Sequence, residues 1–395
     1  MLANKICHKF IKKSLSNFNK ARINSLLTCS DALIKGNRLT LTDIGRNLAG
    51  KAKVKHKIKR TDRLLRNPKL QHDLIDIYGA LAQHLYASLP YLIIAVDWSG
   101  CCRSDYHLLR ASLVVEGRSL PIYNMVVETD EYAKNTTHIA FLADLKRILN
   151  TDKKVYIITD GGYLTPWFSE VLKLGWHFVG RLRGTMKCKL VEDGQWQTLK
   201  DLHNGATNKP MSLGEATIGL KSKTSCTANL SLYKATEKGR TGKSKFTKDT
   251  KMYQNQANEP WLLASSDPTL DSSQVVGIYS KRMQIEQNFR DDKSPRFGFS
   301  WRFSKSEGVN RMNVLCLISC IATLTLWFIG FEGERRKLQY QFQANTVKKR
   351  RVLSFLTLSK NILKNFPRKV TCNYFNKSHA HFKSSYDSMM LKLYE

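Results

Sequence analysis

Two short apolar runs end on an acid: YLIIAVD closes at Asp97 and KKVYIITD closes at Asp160. Each reads as a buried strand that delivers a carboxylate at its end, and carboxylate oxygens are the ligands that hard divalent cations prefer. Two Mg2+ ions roughly 3.5–4 Å apart would activate an attacking oxygen and stabilise a leaving 3′-oxygen at phosphorus, as phosphodiester chemistry requires. Such a site needs a third carboxylate, and the best candidate is Glu286. It stands in SSQVVGIYSKRMQIEQNFRDDKS, which reads as one long helix from about 272 to 292. On that helix Tyr279, Arg282, Glu286 and Lys293 fall at offsets 0, 3, 7 and 14, within about 60° of one another at ~100° per residue. The stripe suits a metal and a phosphate; an amphipathic helix with exposed ion pairs suits the same spacing equally well. Asp105, Asp130 and Asp152 lie in turns and read as solvated, and Asp291 and Asp292 fall off the Glu286 stripe.

The elements that would position these acids follow in a recognisable order. Strands are expected at 91–97, 107–117 and 118–128, a helix at 137–149, a strand at 153–160, a helix near 166–174 and a strand at 176–184. Strand-strand-strand-helix-strand-helix-strand is the order of an RNase H-like (retroviral-integrase-like) core. From 185 to 265 the chain turns rich in Gly, Ser, Thr and Lys with short β-like pieces such as ATIGL, NLSLYKA and PWLLASS. It reads as a mostly β insertion with basic loops at 238–251. The expected class is therefore α/β, with the core split by the insertion into 85–184 and 266–335. A basic C-terminal region covers 336–395.

The first 75 residues read as an all-helical DNA-binding domain. Residues 1–70 carry 18 Lys and Arg against three acids, a net of 18 − 3 = +15. Thr42 can cap a short helix running through Leu48, Gly50 can end it, and a very basic helix follows to about Leu65. Two short helices around a Gly-containing turn resemble a helix-turn-helix; a solvated basic helix pair is the plainer alternative.

The chain as a whole holds 64 Lys and Arg against 32 Asp and Glu, a formal +32 over 395 residues. So large an excess points to a polyanion, because each cation set on a phosphate releases condensed counterions. A ribosome-bound or membrane-surface protein would share the charge but not the buried-strand patterns. The nine cysteines form no CxxC pair, which argues against a zinc ribbon and for a reducing compartment. The apolar stretch 312–331 is long enough to span a bilayer, but in so basic a chain it reads as a buried helix. No membrane partner is expected.

Tyr279-x2-Arg282-x3-Glu286-x6-Lys293 resembles the Y-R-E-K signature of the IS-four-type family of bacterial insertion-sequence transposases, and YSKRMQIEQNFRDDKSP is especially similar to its Tn-ten branch. AVDWS (95–99), TDGGYLTPW (159–167), LGWHFVGRLRG (174–184), EPWLLA (259–264) and the N-terminal LTLTDIGRNL extend the likeness over about 20–350. Asp292 departs from the neutral residue expected before Lys293, and the chain from about Pro367 does not resemble the family's ending. The resemblance implies a DDE triad of Asp97, Asp160 and Glu286 holding two Mg2+, with Mn2+ as a substitute. It implies phosphate contacts for Tyr279, Arg282 and Lys293, and a Trp261 that stacks on a flipped base. A Trp in a strand core is the simpler reading of the last. Arg181 and Arg183, at the end of a strand, are candidates for phosphate binding or for surface pairing. The implied partners are double-stranded DNA, as terminal inverted repeats and target, and a second copy of the chain in a synaptic homodimer. The implied location is the bacterial cytoplasm, at the nucleoid. A metal-dependent nuclease that never joins ends, or a DNA-binding protein without catalysis, remains compatible with the residues alone.

Overall fold

The computed structural model describes residues 11–219, 225–235, 259–344, 346–347 and 350–394. They form two compact units, one from the chain up to Lys153 with Met283–Met390, the other from Lys154–Arg282 with Leu391 onward. The basic loops expected at 238–251 lie outside the described residues.

The first unit begins with helices. Lys20–Gly36 is capped by Asn19, whose side chain accepts from the Ala21 and Arg22 N–H groups, and ends at Asn37 in the left-handed region. The basic pair follows as Leu41–Asn47 and Val54–Leu65. Its cap is Thr40, not Thr42: the Thr40 hydroxyl accepts the Asp43 N–H at 3.1 Å and reaches the Asp43 carboxylate at 2.7 Å. An N-cap oxygen must face the N–H three residues on, and the helix begins early enough that only Thr40 does. The two helices touch at Gly45, where an added Cβ would sit 2.6 Å from the Ile58 Cα. Pro68–His72 and Leu74–Tyr86 complete the helical half.

Three antiparallel strands come next: β1 (Leu92–Gly100), β2 (Tyr106–Leu113) and β3 (Leu120–Glu128), in the order β3-β2-β1. Helix Asn135–Ile148 follows β3. Helix Val309–Arg335 is the unit's axis. It is the segment long and apolar enough to cross a membrane, and its apolar window is wholly enclosed by protein. Around it pack β3, Lys20–Gly36 and the later helix Phe355–Asn365. Gly330 admits that last helix: a Cβ there would lie 2.0 Å from the Phe355 carbonyl oxygen. The C-terminal segment, hard to read in sequence, adds helix Cys372–Tyr394.

In the second unit β4 (Val155–Thr159) and β5 (His177–Arg181) pair in parallel, with helix Thr165–Lys173 as their crossover. β6 (Lys187–Leu190), β7 (Trp196–Thr198), β8 (Met211–Gly219), β9 (Cys226–Tyr233) and β10 (Trp261–Ser265) extend it in the order β4-β5-β10-β9-β8-β6-β7. The β-like pieces of the expected insertion are strands, and through β10 they hydrogen-bond to β5.

The single helix expected over 272–292 is a correction. The chain forms Ser272–Ser280 and Met283–Lys293, separated by a turn at Lys281 and Arg282. The Ser280 hydroxyl takes the Gly277 carbonyl at 2.6 Å, the acceptor that the Lys281 N–H would need to continue an α-helix. The Lys281 and Arg282 N–H groups instead bond three residues back, to Ile278 and Tyr279. Tyr279, Arg282, Glu286 and Lys293 therefore do not share one continuous stripe.

Candidate active site

Asp97 lies where β1 leaves the core: residues 92–96 are buried and Asp97 is half-buried. Its carboxylate accepts the Trp98 N–H at 2.8 Å. The Trp98 indole N–H in turn donates to His138 Nε2 at 3.1 Å, and its ring meets Tyr132 edge-on at 5.0 Å. Burial pushes His138 down to about 4, so the ring is neutral at physiological pH and can accept that bond. The residue just after Asp97 is thus held by a part-buried polar contact.

The register across the sheet sets Asp97 opposite Arg110, and Arg110 opposite Asn124. Cross-strand partners share a face, so these three side chains form one row. Arg110 lies buried in that row and grips the helix that carries Glu286. Its Nε donates to Asn124 Oδ1 at 2.6 Å, one terminal nitrogen to Asn288 Oδ1, and the other to Asp292 Oδ2 at 2.6 Å. Its guanidinium also lies 4.9 Å from the Phe289 ring centroid. The second Asp292 oxygen accepts from Ser319 at 2.5 Å. Next door, Asp291 accepts from Arg118 at 2.9 Å; burial, with Asp292 adjacent, pushes its carboxyl up to about 6 against the pull of Arg118.

Helix Met283–Lys293 is thereby fastened by one face, through Ile285, Asn288, Phe289, Asp291 and Asp292, and leaves Glu286 and Arg290 exposed. Its far end is tied as well. Lys293 Nζ donates to Ser99 Oγ at 2.7 Å, two residues beyond Asp97 and hence on the same face of β1. Burial lowers the Lys293 pKa. Asp97 and Glu286 are therefore presented by a strand and a helix that are locked together within one unit. Asp291 and Asp292, already off the stripe in sequence, are consumed by buried ion pairs.

Asp160 belongs to the second unit. It follows the fully buried β4, and its Oδ1 accepts the Gly162 N–H at 2.9 Å in a side-chain-closed turn. Gly161 lets Arg183 lie against that turn, since a Cβ there would be 2.5 Å from the Arg183 Cδ. Asp267 steadies β4 by accepting from Tyr156 and Lys154, both at 2.6 Å.

Arg181 and Arg183 converge on one carboxylate that sequence reading passed over. Arg181 reaches Glu259 Oε2 at 3.2 Å and the Glu259 and Pro260 carbonyls at 3.1 and 3.2 Å, and Arg183 reaches Glu259 Oε2 at 2.9 Å. Arg181 is buried rather than at the surface, and burial, with Arg183 beside it, lowers its pKa. The only trace of Glu259 in the sequence is its place in EPWLLA, where Trp261 drew attention. Trp261 itself is half-buried. Its ring meets Tyr279 edge-on at 5.0 Å and lies 5.6 Å from Tyr233, and the Arg282 guanidinium lies 6.0 Å from the Tyr279 ring centroid. Burial raises the Tyr279 pKa.

Within either unit, among the described residues, no three His, Cys, Asp or Glu side chains converge to hold a metal. Asp97 and Glu286 stand in the first unit and Asp160 in the second. Their chemistry fits a hard divalent cation: three carboxylates, none of them buried.

A family model described as Transposase DDE domain matches residues 90–323, more than half of the 395. Among curated proteins, none matches the chain.

Proposed function

The chain belongs to the transposases with a DDE domain, and on that premise we propose that it is a cut-and-paste transposase of the IS-four type, similar to the Tn-ten branch. The family consists of metal-dependent enzymes on an RNase H-like fold that cleave and transfer DNA phosphodiesters, so DNA is the partner. The observation that best supports the finer reading is the paired construction of the acids. Asp97 stands in β1 where the strand leaves the core and Asp160 directly follows the buried β4, both half-buried, and Glu286 rides the open face of a helix clamped to the Asp97 strand.

In this reading Asp97, Asp160 and Glu286 hold two Mg2+, which when bound supply a deprotonated attacking oxygen and a stabilised leaving oxygen. Water opens one strand at the element end and frees a 3′-OH. That hydroxyl attacks the opposite strand, displaces its 3′-oxygen and closes a hairpin, which a second water reopens. The new 3′-OH then attacks target DNA. Every step exchanges one P–O bond for another, so no oxidant and no covalent protein intermediate is required. Tyr279, Arg282 and Lys293 contact phosphates near the cleaved end. Arg181 and Arg183, held by Glu259, add positive potential beside Asp160, and Trp261 stacks on the base displaced during hairpin formation. The helices within residues 1–75 bind the terminal inverted repeats, and two copies of the chain form the synapse, in the bacterial cytoplasm at the nucleoid.

The test is cleavage of an element-end duplex in Mg2+ by Asp97→Ala, Asp160→Ala and Glu286→Ala, beside a gel-shift measurement on the same duplex. Cleavage should vanish in all three while binding persists. Full cleavage by any one of them rejects this triad, and cleavage without joining in a strand-transfer assay would make the protein a nuclease.

A further inference from the structure

Immediately after the Glu286 helix the chain reads SPRFGFSWRFSKS (294–306), in which aromatic and basic residues alternate. Residues 298–301, 304 and 306 of this loop are taken into the core. Phe299 and Trp301 are fully buried, while Phe297 and Phe303 remain 42% and 51% exposed. Large apolar side chains left in water this often, in one short segment, call for an explanation.

The loop is held rigidly. Gly298 N–H bonds Ser294 O at 3.0 Å, Phe299 N–H bonds Asp291 O at 2.8 Å, and the Leu39 N–H bonds Phe299 O at 2.7 Å. Lys360 Nζ donates to the Phe297 and Gly298 carbonyls at 3.4 and 3.3 Å. Gly298 cannot be anything larger, because a Cβ would fall 1.6 Å from the Asp291 carbonyl oxygen. Phe297 therefore stands at a fixed place on the end of the Glu286 helix.

Two guanidiniums lie over its ring, Arg296 at 5.0 Å and Arg290 at 5.8 Å from the centroid. Both arginines are exposed. Arg290 is one turn along from Glu286, on the same open face of the helix, so their Cα atoms are about 6 Å apart. An exposed ring against two cations, one of them a helical turn from the Glu286 carboxylate, has the chemistry of a nucleotide site: an aromatic surface for a base and positive charge for its phosphates. An intact duplex hides its base faces in the stack and would gain nothing from the ring. An unpaired nucleotide offers both groups at once.

We propose that Phe297, with Arg290 and Arg296, is a stacking platform for an unpaired DNA base beside the Glu286 carboxylate. The proposal rests on the DNA-cutting function and on Glu286 as part of its site, and it goes beyond them in naming where a single strand is held. It is separate from Trp261, which belongs to the other unit.

The experiment measures binding of the full chain, without divalent metal, to a mixed-sequence single-stranded oligodeoxynucleotide and to the blunt duplex of the same sequence. Phe297→Ala should weaken single-strand binding by about 5- to 100-fold, the loss of one aromatic–base stack, and leave duplex binding within about twofold. Phe297→Trp should restore it. The Arg290→Ala, Arg296→Ala double variant should also flatten the salt dependence of single-strand binding, by about 0.7 per cation removed. Equal effects of Phe297→Ala on both DNAs, or none on either, overturn the platform while leaving the transposase reading intact. A wild-type chain that binds neither DNA would overturn both.

Discussion

The fastening of the Glu286 helix can be tested at Asp292. Its side chain is 5% exposed and that of Arg110 is 2% exposed, so the ion pair at 2.6 Å is dry. Asp292→Ala leaves the Arg110 cation buried without a carboxylate, with the Asn124 and Asn288 amide oxygens and the Phe289 ring as partners, and strips the Ser319 hydroxyl of its acceptor. Breaking a buried pair from one side costs about 3–5 kcal/mol. That is a loss of roughly two to three and a half powers of ten in the folded-to-unfolded ratio, and a large part of the 5–15 kcal/mol that holds a typical domain together. Asp292→Asn keeps the shape and a hydrogen bond, and should lose less. Replacing both partners, as Arg110→Met with Asp292→Leu, removes the stranded charge and should recover part of the stability. It should not recover cleavage of an end duplex, because the row Asp97-Arg110-Asn124 no longer meets the helix. Urea unfolding followed by tryptophan fluorescence gives the stability, and cleavage by the folded fraction gives the second readout. An Asp292→Ala variant within about 1 kcal/mol of wild type would refute the view that this pair fastens the helix.

Other outcomes follow from the same geometry. His138, with its folded pKa near 4 against 6.5 unfolded, takes up a proton less readily when folded, so wild type should lose stability relative to His138→Asn as pH falls from 6.5 to 4; parallel curves would exclude a buried neutral His138. Burial pushes the Cys29, Cys188 and Cys320 thiols up to about 12, while Cys372 is exposed; among the described cysteines Cys372 should alkylate first, as peptide mapping would report. Trp261→Ala should spare the first nick and reduce hairpin yield; an unchanged yield would make Trp261 a packing residue for Tyr279.

What the sequence made legible was local. An apolar run closing on an acid is a pattern within a few residues, so Asp97 and Asp160 stood out with their strands, and the signature around Glu286 marked it as the candidate third acid. The break at Lys281 and Arg282 was hidden, because it lies in a local shift of their N–H groups to acceptors three residues back, and spacing carries no record of that shift. Thr42 was expected as the cap where Thr40 serves, for the same kind of reason. Arg110 was invisible altogether. Two of its partners, Asn288 and Asp292, are 178 and 182 residues away in the chain, and only the fold says that they meet. Asp292 did stand out as a departure from the expected pattern, yet its purpose, neutralising a buried cation, could not be read without Arg110.

The enclosed helix Val309–Arg335 carries a cost during synthesis. Part of its cover comes from chain made earlier, Lys20–Gly36 and β3, but Trp327 leans on Phe355 and Phe382, and the Ile329 and Phe328 carbonyls accept from Tyr374 and Ser378. Until the ribosome has delivered those last segments, a greasy rod with a bilayer-spanning composition stands partly uncovered. A product cut short before Phe355 would keep the whole of the matched domain and still be prone to clump or to be drawn toward membranes.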